Sequence, residues 1–172
     1  GKVRHIKIAN AYATAIFYGD FVKLVAAGTV EKAAVTTSVV AGTVGIFVGC
    51  AYTDPSTNQM TFNQQFPAST AADDIVAYVV DDPKLLFRMQ GDEAIAQTGL
   101  GNNISAVNTA GSTSIGRSKN ALDGGSIATT NTLPLRVVDF VDGPTSTVGD
   151  AFTDCIVTYL PLSHAYETKL GV

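Results

Sequence analysis

The stretch from Gly42 to Thr70, GTVGIFVGCAYTDPSTNQMTFNQQFPAST, constrains the fold more than any other part of the chain. Its run Gly45-Ile46-Phe47-Val48-Gly49-Cys50-Ala51-Tyr52 has the length of a strand and the branched and aromatic side chains that suit a pleated surface. Thr53-Asp54-Pro55-Ser56 then turns the chain, Gln59-Met60-Thr61-Phe62 extends it again, and Pro67 breaks the run. Short extended runs closed by turn residues predict sheet structure. Nothing in the stretch forms a catalytic set.

The remainder follows the same pattern. Val3 to Ile8 alternates Val3, His5 and Lys7 with Arg4, Ile6 and Ile8. Thr14 to Tyr18 and Phe21 to Val25 flank Gly19-Asp20, a dipeptide that closes hairpins. Gly28 sets off a short extension at Thr29-Val30-Glu31-Lys32, and Val35 to Val44 is rich in Thr and Val. Ile75 to Val80 is apolar at both parities, which predicts a strand covered on both faces. Asp81-Asp82-Pro83 ends it before Leu85 to Met89, and Leu135 to Val141 and Ala151 to Leu160 supply the last strands around an Asp142-Gly143-Pro144 turn.

Helix signals are few. Asp92 as N-cap, Glu93 in the first turn and Gly99 as C-cap frame a helix Glu93–Thr98 of less than two turns. Arg117 to Leu122 allows another helical turn before an Asp123-Gly124-Gly125 break, and Asn102 to Gly116 reads as an ordered loop or arm. The expected fold is mainly β: a compact β-barrel or sandwich-like domain over 1–172, with one or two short helices and long loops. Residues 1–10 are a candidate docking arm and 161–172 a polar C-terminal tail able to pack on a neighbour. Val44 to Gly49 echoes Val137 to Asp142, and Gly19-Asp20 echoes Gly149-Asp150. The two echoes run in opposite order in the two halves, so tandem duplication is not expected.

A chain of 172 residues hides about 70% of its extended surface on folding, enough for a substantial core. Only 15% of residues are charged, the net charge is −4 and the pI is about 4.9. That balance argues against a nucleic-acid partner, which needs a basic footprint. No run reaches the ~18 apolar residues of a membrane helix, so no membrane partner is expected. Gly1-Lys2-Val3-Arg4-His5 leads into Ile6-Lys7-Ile8 rather than a long apolar stretch, so no signal peptide is expected there. Cys50 and Cys155 each sit in an apolar run and read as buried free thiols, with a disulfide as the alternative. Asn103-Ile104-Ser105 is a chance sequon on this reading.

Reactive chemistry finds little support. Nucleophilic catalysis needs a base in hydrogen-bond reach, and only His5 and His164 are available, one near each end. Cys and His never fall at the paired short spacings of zinc sites. Asp73/Asp74, Asp81/Asp82 and Asp139/Asp142 match no calcium loop and read as turn caps. Gly99-Leu100-Gly101-Asn102-Asn103 lacks the Lys-Ser/Thr pair of a phosphate loop. No catalytic residue, metal or cofactor is therefore expected. The candidate partner-binding residues are Lys2, Arg4, His5 and Lys7, as a solubilising edge or a docking strand, with Arg117 and Tyr166. Lys119 is similarly ambiguous.

Several strings resemble the small decoration (cement) proteins of tailed-bacteriophage capsids. They are Tyr18-Gly19-Asp20-Phe21-Val22-Lys23-Leu24, Gly45 to Pro55, Pro67-Ala68-Ser69-Thr70, Asp74 to Pro83, and Leu133 to Val141. The resemblance spans most of 18–160 and leaves the N-terminal segment and the tail after Pro161 outside. It implies a virion structural role: binding the major capsid protein on the outer surface of an expanded head, after synthesis in the host bacterial cytoplasm. It also implies self-association as a dimer or trimer. The competing expectations are another virion component, such as a head fibre, tail or baseplate protein, and a carbohydrate-binding β domain.

Overall fold

Turn residues divide the computed structural model, which describes residues 2–36, 42–168 and 171, into eleven strands that pair as two antiparallel sheets packed in a sandwich-like domain. The first sheet holds β1 (Val3–Lys7), β2 (Phe21–Leu24), β3 (Val30–Lys32), β4 (Thr43–Thr53), β5 (Met60–Asn63) and β6 (Val76–Val80). Its order is β1-β6-β4-β2-β3, with β5 also paired to β4. The second holds β7 (Phe87–Gln90), β8 (Asn103–Val107), β9 (Ala121–Ala128), β10 (Leu135–Phe140) and β11 (Asp154–Tyr159), in the order β7-β11-β10-β8-β9.

With β5 set aside, the two orders are the same. In each half the first strand pairs with the last, the last with the fourth, the fourth with the second and the second with the third. Each sheet also curls until its outer strands meet at one end, through parallel bridges between Ile8 and Val30 and between Gly91 and Leu122. One half thus repeats the topology of the other. The echo between Val44–Gly49 and Val137–Asp142 falls on the equivalent strands β4 and β10. Both of these bulge against the last strand of their sheet, between Phe47 and Gly49 and between Val137 and Asp139. The other echo is only shared turn chemistry, because Gly19-Asp20 precedes β2 and Gly149-Asp150 precedes β11.

Each sheet wraps its own core. Ile8, Ile16, Phe47, Phe66, Ile75 and Val79 fill the first, and Ile95, Ile104, Leu122, Leu135, Val137 and Val157 the second. Phe21 of β2 joins the second core, with its ring 5.8 Å from Phe87 and 6.1 Å from Tyr159. Cys50 and Cys155 belong to different cores and are both free. Burial pushes the Cys50 thiol up to about 12, and burial with the charge of Asp154 pushes Cys155 up to about 11.

Several local expectations are corrected. No helix forms at Glu93–Thr98; a 3-10 turn occupies Gln97–Gly99. The sheet takes the backbone groups a first helical turn would leave free: Asp92 N–H donates to the Leu122 carbonyl and Ile95 N–H to Thr153 Oγ1. Arg117 to Leu122 is extended instead of helical, with Arg117 bridging Tyr18 and Ser112 and β9 starting at Ala121. The expected loop at Asn102 to Gly116 contains β8, a central strand. Its Ser105 and Asn103 are buried but satisfied: Arg136 Nε donates to Asn103 Oδ1 at 3.0 Å, Asn103 Nδ2 donates to the Thr130 carbonyl at 2.7 Å, and Ser126 Oγ accepts Ser105 N–H at 2.9 Å. Asn103 therefore offers no accessible amide to a sugar.

Asp123-Gly124-Gly125 lies inside β9 as a register shift, and Thr14 to Tyr18 contributes bridges at Ile16 and Tyr18 instead of a strand. Gly19-Asp20 consequently does not close a hairpin. Part of the Val35–Val44 reading falls on 37–41, outside the described residues, as do Gly1 and positions 169, 170 and 172 of the tail. Residues 3–7 are an edge strand of the first sheet, and Ile8 lies in its core. The segment is thus part of the fold rather than a detached arm.

Candidate functional site

The six residues singled out in the sequence separate into two groups. The first gathers around Asp81, which follows β6 and is 4% exposed. Alternation along β1 turns Lys2, Arg4 and Ile6 toward the inner face and Val3, His5 and Lys7 outward. Arg4 Nη1 lies 3.3 Å from Asp81 Oδ2 and donates to the Tyr166 hydroxyl at 2.7 Å, while that hydroxyl donates to Asp81 Oδ2 at 3.1 Å. Burial, then the hydrogen bond to and charge of Asp81, push the Tyr166 hydroxyl above its ordinary value, which keeps it a donor. Lys2 and Pro83 complete a cleft of about 590 Å³ around this network. Arg4 is already neutralised there. The group fastens the C-terminal segment to the first sheet.

That segment is pinned further along. His164 bridges Thr43, the first residue of β4, and Ala165 N–H donates to the Thr43 carbonyl at 2.7 Å. The tail therefore packs on its own chain through residue 168. The His164 ring is fully buried between Tyr159, 5.4 Å away, and Tyr166, 5.2 Å away. Its Nδ1 accepts the Tyr166 N–H at 3.3 Å, which assigns the proton to Nε2. Burial lowers the His164 pKa from 6.5, against smaller upward pulls from the Val44 carbonyl and the charges of Glu167, Asp81 and Asp82.

The folded state thus resists protonation that the unfolded chain accepts. Stability is unaffected by this group well above pH 6.5 and falls as pH drops below it. The slope is at most about 1.4 kcal/mol per pH unit, the limit for one proton. Urea midpoints measured from pH 7 to 5.5 are expected to drop for the native chain and to be flatter for His164→Gln. Parallel profiles for the two would refute the assignment.

The second group lies on the outer face of the first sheet. Ile75 is fully buried, but Val76, Tyr78 and Val80 are only half-buried, so β6 is covered on one face and not on both. The Tyr78 ring packs 4.7 Å from His5 and lies across Gly49, where a Cβ would meet Tyr78 Cδ2 at 3.7 Å. On β5, Met60 is 60% exposed and Phe62 73%. Tyr18, Val48, Phe62 and Tyr78 line a shallow groove of about 720 Å³, with Asn63, Gln64 and Arg117 at its polar rim. The backbone around Arg117 is fixed: Ser112 N–H donates to its carbonyl at 2.9 Å, and Ser118 N–H donates to the Tyr18 carbonyl at 2.9 Å. Lys7 faces outward at the far end of β1, opposite Val76.

Sequence reasoning marked His5 and Arg117 but missed Tyr18, Phe62 and Tyr78, whose apolar runs read as strand interior. Of the acidic pairs, Asp82 accepts Lys84 N–H and Asp139 accepts Phe140 N–H as local turn caps, whereas Asp74 accepts Thr53 N–H and Oγ1 and Asp73 accepts Asn10 Nδ2, contacts between segments distant in sequence. Asp92, Glu93 and Asp123 do bring carboxylates together, a cluster not foreseen from spacing, yet Asp92 Oδ1 also accepts Gly124 N–H and Asp123 Oδ2 accepts Ser105 Oγ. The arrangement that remains open is a contact surface: exposed aromatic and aliphatic side chains beside an exposed guanidinium. Compared with known proteins, the chain matches no family model, no curated protein and no solved structure.

Proposed function

We propose that this chain is a virion structural protein of the decoration class, which binds the outer surface of an assembled phage head and strengthens it through protein contacts. The observation that carries the reading is the bare outer face of the first sheet, where Met60, Phe62 and Tyr18 stand 60%, 73% and 44% exposed. Large apolar side chains grouped on a soluble surface mark an interaction site. The resemblance over 18–160 supplies the partner, the major capsid protein, and a dimer or trimer at a symmetry position as the mode of occupancy. A molecule that binds only the assembled shell stabilises it by mass action, without chemistry.

The test is heating of particles with and without the chain. Decorated heads are expected to retain DNA to a temperature several degrees higher than stripped heads. Equal release temperatures at full occupancy, or absence of the chain from mature particles, would overturn the proposal. A carbohydrate-binding module is the second reading, supported by the Asn63 and Gln64 amides beside Tyr18 and Tyr78 in the same groove. It requires the isolated chain to bind glycans and not heads.

A further inference from the structure

The groove lined by Phe62 and Tyr78 continues past Tyr18 and Arg117 into a second one of about 400 Å³, lined by Phe87, Met89 and Arg88 where the two halves meet. Together they make one trough across the junction of the two sheets. We propose that this trough receives an extended acidic segment of a partner protein, with apolar side chains on the aromatic floor and a carboxylate on Arg117. The inference rests on the decoration reading and specifies the chemistry of the shell segment it would engage.

Charge is what identifies the occupant. Acidic residues outnumber basic ones 15 to 11 over the whole chain, yet among the described residues no carboxylate lines either part of the trough. Its charged liners are Arg88 and Arg117. Arg88 is paired with Asp154, which is 8% exposed at its side chain, so its charge is largely answered. Arg117 makes no ion pair among the described residues. It projects from a backbone held on both sides by Tyr18, Gly116 and Ser112, which fixes the point on the trough from which the guanidinium reaches a carboxylate. A guanidinium beside aromatic faces suits a chain that alternates carboxylates with apolar side chains, and charge complementarity sets the selectivity for it. A phosphate backbone fits less well: one unanswered guanidinium in a chain of net charge −4 cannot match a row of phosphates.

The experiment uses fluorescence anisotropy of the full chain with three labelled probes. These are an octapeptide alternating Glu with Val and Phe, its counterpart with Lys in place of Glu, and an oligothymidylate of eight nucleotides. The acidic peptide is expected to bind, the lysine peptide and the oligonucleotide to bind at least tenfold more weakly, and Arg117→Glu to weaken the acidic peptide at least tenfold. Phe62→Ser is expected to weaken it as well, with both variants melting as the native chain does. Failure of the acidic peptide, equal binding of the two peptides, insensitivity to Arg117→Glu, or preference for the oligonucleotide would each overturn the trough. Co-sedimentation with undecorated heads separates the two claims. Heads that take up native chain and Arg117→Glu alike overturn the trough and leave the decoration reading standing. Heads that take up neither overturn the decoration reading, and the peptide titrations then decide the trough alone.

Discussion

Replacing Asp20 with alanine is expected to destabilise the protein by about 3 to 5 kcal/mol, the usual cost of removing one member of a buried ion pair. Asp20 is fully buried. Its Oδ2 accepts Phe17 N–H at 2.9 Å and lies 2.9 Å from Lys32 Nζ, whose side chain is 12% exposed. Its Oδ1 accepts Ser118 Oγ at 2.6 Å and Asn120 Nδ2 at 3.3 Å. One carboxylate therefore ties β3 and the turn before β2 to the segment that leads into β9 of the other half. Alanine leaves the Lys32 ammonium unanswered and the two side-chain donors unpaired.

Urea unfolding monitored by circular dichroism measures the loss. Asp20→Asn, which keeps the shape but removes the charge, should fall between native and alanine. Lys32→Met in the Asp20→Ala background should recover part of the loss, because it removes the stranded charge. A loss below about 1 kcal/mol for Asp20→Ala would show that the pair contributes little. Because the trough crosses this same junction, Asp20→Ala is also expected to loosen the Arg117 rim.

Gly45→Ala is the second large effect, about 3 kcal/mol or more. A Cβ at Gly45 would lie 2.0 Å from the Val80 carbonyl oxygen and 2.8 Å from its carbon. Both are backbone atoms of the neighbouring strand β6, so no rotamer change relieves the clash. β4 and β6 would have to separate in the middle of the first sheet. Gly143→Ala is the control, since no atom lies within 4 Å of its Cβ position. Differential scanning calorimetry should show Gly45→Ala melting roughly 6 to 12 °C lower, at about 2 to 4 °C per kcal/mol for a chain of this size. An unchanged melting temperature would mean that the close approach of β4 to β6 is not needed for stability.

The strand pattern was legible wherever branched and aromatic residues ran between turn clusters, as at Thr43–Thr53 or Asp154–Tyr159. It was not legible at Asn103–Val107, because Asn103 and Ser105 carry polar side chains into a buried strand. Only partners distant in sequence, Arg136 and Thr130 for Asn103 and Asp123 for Ser105, make that burial tolerable. Glu93–Thr98 failed in the opposite way: its caps looked helical, but β9 and Thr153 compete for the same N–H groups. Of the candidate contact residues, Arg4 and Tyr166 turned out to satisfy Asp81, a pairing across 162 positions that local pattern does not encode.

By itself the order of residues determined that this chain forms sheets and that both thiols are hidden, because alternation, branched side chains and turn chemistry act over a few neighbours. The tertiary structure decided that the two halves share one topology. It also decided that the C-terminal segment folds back on its own chain and that Tyr18, Phe62 and Arg117 meet in one trough. Those outcomes depend on which strands pair and where the sheets curl, and residues far apart along the chain become neighbours only after that pairing is made.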